Sequence, residues 1–450
     1  MRRSRAALGI ASLAVALGTA LTAAPAALAA AAGPGKTART AGQATAPGNG
    51  PSGQARLTLP APTGRYPVGT VALHLVDRSR ANPWAASPPH RELMVSVWYP
   101  AAPGAGRYRR APQMLPGAAA HFGSADGAAA EVYNVPAGRV DWAATLTSGH
   151  EGAPVARRRG PFPVVLYSPG AGEPRTWGTT LVQDLASRGY VVVTIDPTYE
   201  ADEVEFPGGR VVDSVLVAQL QQAQKDGTIF ALLKKVVDVR VGDVRFVLGA
   251  LGALDAGQNP AVGSGPLPRG LAGALDLSRT GMFGVSAGGF TAAQAMYEDP
   301  RIRAGIDLDG AVETPLVPDS LKLAPVFEHG LSQPFMFMGD PNSSHDTIPS
   351  WKSFWTHTPG WHLDLTLRGA EGENSYKDAE PLIPQVASQL GLPHSFVTKD
   401  VGTAGPARAV AAEEAYIAAF FGRWLRGQHG QDSRLLSGPS PRYPQISFVR

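Results

Sequence analysis

The sequence predicts an α/β fold with a mostly parallel, doubly wound sheet and helices on both faces. Three observations carry this expectation. FPVVLYSPG (162–170) is a continuous apolar run of the kind buried on both faces of a parallel sheet, and VVVTID (191–196) and IRAGIDLDG (302–310) read as further buried strands. Helical patterns separate such runs, as TWGTTLVQDLASRGY (176–190) does between the first two. The alternation continues to about residue 427 with no internal repeat and no second linker, so one large domain is expected.

In chain order, residues 1–29 read as an export signal. Arg2, Arg3 and Arg5 open it, Leu8 to Leu21 run without charge, and Ala27-Leu28-Ala29 supplies the small-residue cleavage signature. Gly9, Gly18 and Pro25 interrupt the run, and no later stretch approaches the roughly 18 apolar residues of a membrane span. The expectation is a secreted, extracellular protein with no transmembrane anchor. Residues 30–55 are nearly all Ala, Gly, Pro and Thr; with little to bury, they read as a disordered spacer. RELMVSVWYP (91–100) alternates as a strand, with Leu93, Val95 and Val97 on one face. VVDVRVGDVRFVLGALGAL (236–254) is helical, with Val237, Val241 and Val244 along one stripe. RTGMFGVS, QPFMFMGD and WHLDLTLRG are further strands, and Tyr416, Phe420, Phe421 and Trp424 mark a core-facing stripe on a late helix. The segment from about 200 to 230 lies between sheet elements and is placed to cover a pocket. Residues 431–450 read as a C-terminal extension.

Composition removes several functions. The chain has 40 Lys and Arg against 37 Asp and Glu, and losing the three signal arginines leaves 37 against 37. Near-zero charge removes the electrostatic case for a nucleic-acid partner, and Arg157-Arg158-Arg159 reads as a solvated loop. Cysteine is absent, so there are no disulfides, thiolate nucleophiles or cysteine metal sites. No cofactor or metal is expected.

Gly284-Val285-Ser286-Ala287-Gly288 matches G-x-S-x-G, with an apolar strand before it and a helical pattern after it. A strained strand-to-helix turn of this kind lifts a serine hydroxyl above the sheet edge, and small flanking residues permit the turn. Ser286 is therefore the candidate nucleophile. The developing oxyanion needs two backbone N–H donors. Ala287 follows the serine, and Ala171 in SPGAGEPR (168–175) lies in the loop after an early strand.

RELMVSVWYP, VVLYSPGAGEPRTWG, RVGDVRFVLGAL, GVSAGGF and RAGIDLDGA, taken in order, resemble the platelet-activating-factor acetylhydrolase family of α/β-hydrolases, in particular exported actinobacterial members. The resemblance implies an α/β-hydrolase domain over residues 56–430 and metal-free hydrolysis of a short or oxidised acyl ester of a phospholipid. Many α/β-hydrolases carry the triad acid after the strand read as QPFMFMGD, which nominates Asp340; the resemblance moves it to DLDG and so to Asp309, with Asp307 two residues away. The family's histidine lies in the segment that resembles RGAEGENSYKD, where this chain has Gly372 or Glu373 and no histidine between His362 and His394.

Three readings stay open for the missing base. His345, in the loop GDPNSSHDTIPSW with Asp346 beside it, supplies the imidazole; Glu373 stands in as a weak carboxylate base; or activity is greatly reduced. The expected function is a secreted serine esterase acting on a lipid or other short-acyl ester, and the alternative is a catalytically impaired lipid- or ester-binding protein.

Overall fold

In the computed structural model, which describes residues 53–156, 161–263, 265–313, 317, 319–430 and 432–450, the apolar runs pair into one sheet of 11 strands. In chain order the described strands are β1 (Val68–Ala81), β2 (His90–Pro100), β3 (Arg110–Pro112), β4 (Leu146–Glu151), β5 (Phe162–Ser168) and β6 (Val191–Ile195). A separate hairpin, β7 (Val204–Phe206) and β8 (Arg210–Val212), follows; then β9 (Leu275–Val285), β10 (Ile302–Leu308), β11 (Phe335–Gly339), β12 (His362–Leu367) and β13 (Ile446–Phe448) complete the sheet. Across the sheet the order is β13-β12-β11-β10-β9-β5-β6-β2-β1-β4-β3. From β12 to β6 every neighbouring pair is parallel, while β2 runs antiparallel to β6 and β1 antiparallel to β2.

The helices that matter for the site are α1 (Thr179–Ser187), α2 (Leu216–Asp226), α3 (Ile229–Asp255), α4 (Ala287–Glu298), α5 (Pro349–His357), α6 (Ala379–Leu390) and α7 (Pro406–Arg426). On one face of the sheet Leu93, Val95, Val97, Val164, Leu166 and Phe337 pack with Val237, Val241 and Val244 of α3. On the other, Trp98, Val165, Tyr167, Phe283, Val285 and Met338 pack with Leu181 of α1 and with Tyr416, Phe420 and Phe421 of α7. Burial on both faces is why the central strands read as unbroken apolar runs. The stripe expected on β2 is in place, but Met94 and Trp98 on its other face are buried as well. Helix α3 extends the expected 236–254 span backward to Ile229 and forward to Asp255, the N-terminal addition packing Ile229 and Leu232 against Leu216 and Leu220 of α2.

Both ends of the described chain join this body. Ala55 exchanges backbone hydrogen bonds with the 139–141 segment, and Leu57 and Leu59 are buried beside Trp142, Trp177 and Leu382. At the other end β13 pairs antiparallel with β12, and Tyr443 meets Tyr416 edge-on at 6.0 Å, so much of the C-terminal extension belongs to the sheet and its core. The export signal, most of the spacer and the Arg157–Arg159 run lie outside the described residues. Among the described residues, no helix is long and apolar enough to cross a membrane.

Candidate active site

Strand β9 ends at Val285, helix α4 begins at Ala287, and Ser286 joins them with φ 51° and ψ −121°. A non-glycine residue held there costs about 1–3 kcal/mol and persists only when its surroundings over-determine it. They do. Val285 is opposite Leu308 in the β9–β10 ladder, and the Ser286 N–H donates to Leu308 O at 2.9 Å. A Cβ on Gly284 would sit 2.3 Å from the Gly288 backbone, and one on Gly288 would sit 1.9 Å from Ser168 O. One on Gly289 would sit 1.8 Å from Asp307 Oδ1. The glycines of GVSAGG are thus the residues that let α4 start directly against β5 and β10. Ser286 is half-buried at the carboxyl edge of the sheet.

The loop after β5 is held from below. Arg240, buried on α3 and paired with Glu200 at 2.7 Å, donates to Pro169 O at 2.8 Å and to Gly170 O at 3.1 Å. Glu173 accepts from the Gly170 N–H at 3.2 Å. Ala171, at the tip of this anchored loop, borders a cleft with about 120 Å³ of room, together with Glu173, Trp177, Leu216, Leu220 and Lys377. Leu216, Val217 and Leu220 come from α2, and Asp202 and Ser214 from the strand-and-turn segment before it, so the 200–230 segment lies over this cleft as expected. Ala287 is the first residue of α4, where the backbone N–H groups have no partner within the helix.

Asp309 follows β10 as Ser286 follows β9. It too has a left-handed backbone, at φ 57°, and is 2% exposed. Its Oδ1 accepts from the Asp340 N–H at 3.0 Å, whereas Oδ2 is buried without a hydrogen-bond partner among the described residues. Ser343 is near enough to favour the ionised carboxylate without meeting hydrogen-bond geometry. Burial, joined by the Asp340 charge, pushes the Asp309 carboxyl up to about 7. Asp340 itself is engaged: it accepts from Asn342 N at 2.8 Å and from the Gly372 N–H at 3.3 Å. Asp307 lies under the elbow, with Oδ1 accepting from Gly310 N at 2.8 Å.

Gly372 decides the register that the sequence left between two positions. A Cβ built on it would lie 3.8 Å from Asp309 Oδ2. Gly372, and not Glu373, is the residue whose side chain would reach the acid. Glu373 is buried and accepts from Lys377 Nζ at 3.1 Å; Lys377 also binds Glu173, and all three line the cleft. This buried Glu173–Lys377–Glu373 group was missed by sequence reasoning. Its signal was a Glu-x-x-x-Lys spacing inside the acidic loop, which reads equally well as a solvated turn.

His345 is elsewhere. Its Nδ1 bonds Asp364 Oδ2 at 2.7 Å, its backbone N–H donates to the same oxygen at 2.7 Å, and its ring stacks on Trp355 of α5 at 3.9 Å. Asp364 belongs to β12, two strands beyond the strand that carries Asp309, and is fully buried. The partner of the His345 ring nitrogen is thus Asp364, and not the neighbouring Asp346 or the acid Asp309. The exposed Asp346 lies 4.0 Å from His345 Nε2. The structure brings Ser286, Ala287, Asp309, Asp340 and Gly372 to one edge of the sheet, with Ala171 and Glu373 on the adjoining cleft, and leaves His345 against α5. Among the described residues there is no cluster of three or more potential metal ligands.

The relative and the solved structure to which the chain is similar are named as esterases. Residues 52–322 match the family described as platelet-activating factor acetylhydrolase, isoform II. A probable 1-alkyl-2-acetylglycerophosphocholine esterase of Arthroderma benhamiae is 27% identical over 401 residues, spanning 87% of this chain and 93% of that protein. A ferulic acid esterase from Streptomyces cinnamoneus superposes with a TM-score of 0.64 at 33% identity, covering 88% of this chain and all of that one. The parallel sheet, its flanking helices and the strand-to-helix turn at Ser286 are those of an α/β-hydrolase fold. The chain belongs to the platelet-activating factor acetylhydrolase, isoform II, family and is an ester hydrolase.

Proposed function

We propose that the protein is an exported serine esterase in which Ser286 attacks the carbonyl carbon of a short-acyl ester, with a phospholipid as the leading substrate. The observation that carries this reading is the strained turn at Ser286, φ 51° and ψ −121°, held by three glycine contacts at the head of α4. Strain of that size is retained where it aims a side chain. The N–H groups of Ala287 and Ala171 are the donors for the tetrahedral oxyanion, and the Arg240 clamp keeps the Ala171 loop in one shape before substrate arrives. Asp309 is the acid that orients a base. The cleft under α2, lined by Trp177, Leu216 and Leu220, accepts the acyl or alkyl part by burying apolar surface. The phospholipid reading is supported by the family and the fungal relative's name; export is supported by the first 29 residues of the sequence.

A second reading, an ester-binding protein of low activity, is favoured by one observation: Gly372 stands where a side chain would reach Asp309 Oδ2, and no imidazole bonds that oxygen among the described residues. A fluorophosphonate separates the two when used with p-nitrophenyl acetate, a short-acyl glycerophosphocholine and methyl ferulate. The esterase reading expects covalent label on Ser286 and turnover that falls at least 10³-fold in Ser286→Ala. Equal rates for both proteins and no label would leave only the binding role.

A further inference from the structure

Accepting Ser286 as the nucleophile, we infer that its general base comes from outside the chain: the space bounded by Ser286, Asp309 and Gly372 takes a small neutral nitrogen base of the imidazole type, either free or borne by the ester.

Three observations meet at this space. Asp309 Oδ2 is an acceptor, on a residue only 2% exposed, with no partner among the described residues, although Oδ1 and Asp340 beside it are both engaged. At Gly372 a side chain would point at that same oxygen, 3.8 Å away, with no other heavy atom within 4 Å beyond its chain neighbours. Ser286 and Gly372 are both part-exposed, so each can be reached from solvent. The imidazole of His345 does not fill this space: its Nδ1 bonds Asp364 rather than Asp309, and its ring stacks on Trp355.

The chemistry of the ligand follows from the two groups it must join. Toward Asp309 it has to present a donor, and toward Ser286 an acceptor that titrates near neutrality. A carboxylate fails the first demand and is repelled by Asp309; an ammonium or guanidinium fails the second. A neutral imidazole carries a donor N–H and an acceptor nitrogen on one rigid ring. In the reaction its unprotonated nitrogen takes the Ser286 Oγ proton as Oγ bonds to the carbonyl carbon. The same proton then passes to the alkoxide as the ester C–O bond breaks. Water repeats the sequence on the acyl-enzyme, releasing acid and serine and returning the base unchanged.

The test uses the full chain, with p-nitrophenyl acetate and increasing imidazole, beside Ser286→Ala and Asp309→Asn. Wild type should show a saturable rise in kcat/KM on the order of 10²-fold, the usual worth of a positioned base. Ser286→Ala should show only the linear background of free imidazole, and Asp309→Asn a much weaker rise. A p-nitrophenyl ester of imidazole-4-acetic acid, compared with its phenylacetic analogue, separates the two sources. Stimulation by free imidazole points to a free base; faster turnover of only the imidazole-bearing ester points to one carried by the substrate. Gly372→His, at a backbone φ of 58° where histidine is among the better tolerated side chains, should gain a similar factor without added imidazole and lose its response to it. Absence of stimulation from either source, with Ser286 still labelled by fluorophosphonate, overturns the external base and leaves the serine esterase standing. Absence of label and turnover in both wild type and Gly372→His overturns the serine reading as well. Should Gly372→His not fold, the wild-type titration decides alone.

Discussion

At the scale of single residues the site was legible wherever sterics forced a residue type. The GVSAGG glycines announce themselves because a Cβ at Gly284, Gly288 or Gly289 would collide with backbone or with Asp307. Asp309 was reached through resemblance, and its geometry explains the placement: a left-handed backbone and a carboxylate tied to Asp340 N. The partner of His345 was not legible, because it depends on β11 and β12 being aligned in register and on α5 closing over the ring. Asp309 also has a measurable cost. Its carboxyl is raised to about 7 in the fold against an ordinary 3.8, so the native state holds a proton that the unfolded chain releases. Its contribution therefore falls as pH rises from about 4 to 7 and levels off above. Asp309→Asn should raise Tm by a few degrees at pH 8, with the gain shrinking toward zero at pH 3.5 in thermal melts. A gain independent of pH would show that the carboxylate is not the source.

Between elements, the runs that became β5, β6, β9, β10 and β11 were readable because both faces of the sheet are covered and the residues that pair at its centre are buried and mostly apolar. What the sequence hid is polar and interior. Arg240 sits in the same helical stretch as Val237, Val241 and Val244, yet it points to the Pro169–Gly170 carbonyls and to Glu200. A period of 3.6 marks a face and does not say which member of that face carries a charge inward. The packing of α6 against α7 holds another such group. Glu380 is buried with neither carboxylate oxygen hydrogen-bonded among the described residues, and burial alone raises it to about 8. Glu414 is pushed up to about 8 by burial and then by Asp184, and Glu413 is pushed well above its ordinary value by burial, with Glu380 and Glu414 nearby. Between pH of about 4.5 and 8, Glu380 and Glu414 hold a proton in the fold that the unfolded chain releases, so their contribution is lost as pH rises toward 8. Glu380→Gln should leave stability unchanged at pH 4 and raise Tm at pH 8.5. Equal melting curves at both pH values would mean that water reaches this carboxylate.

For the molecule as a whole, sequence patterning gave a domain over residues 56–430, and the described chain makes backbone hydrogen bonds beyond both limits, at Ala55 and in β13. Composition shows where apolar content ends, not where the chain doubles back. Ala55 is hydrogen-bonded to the 139–141 segment and the last residues supply β13, each through only a few residues too short to show a period. A chain ending at residue 430 should lose the cover over Tyr416 and β12, lowering Tm by several degrees, and should form oligomers with time in size-exclusion chromatography. An unchanged monomer with an unchanged Tm would make the tail dispensable. The reason reaches past stability. A sheet of this width has two outer margins where unpaired N–H and C=O groups could recruit a second chain. One margin is β3, three residues long and ending in Pro112, with Arg110 turned back onto the Leu146 and Thr147 carbonyls of β4. The other is β13, also three residues long. These stubs leave the sheet almost no free length to template aggregation, and they do so at both ends of a molecule that has no cysteine with which to close itself by other means.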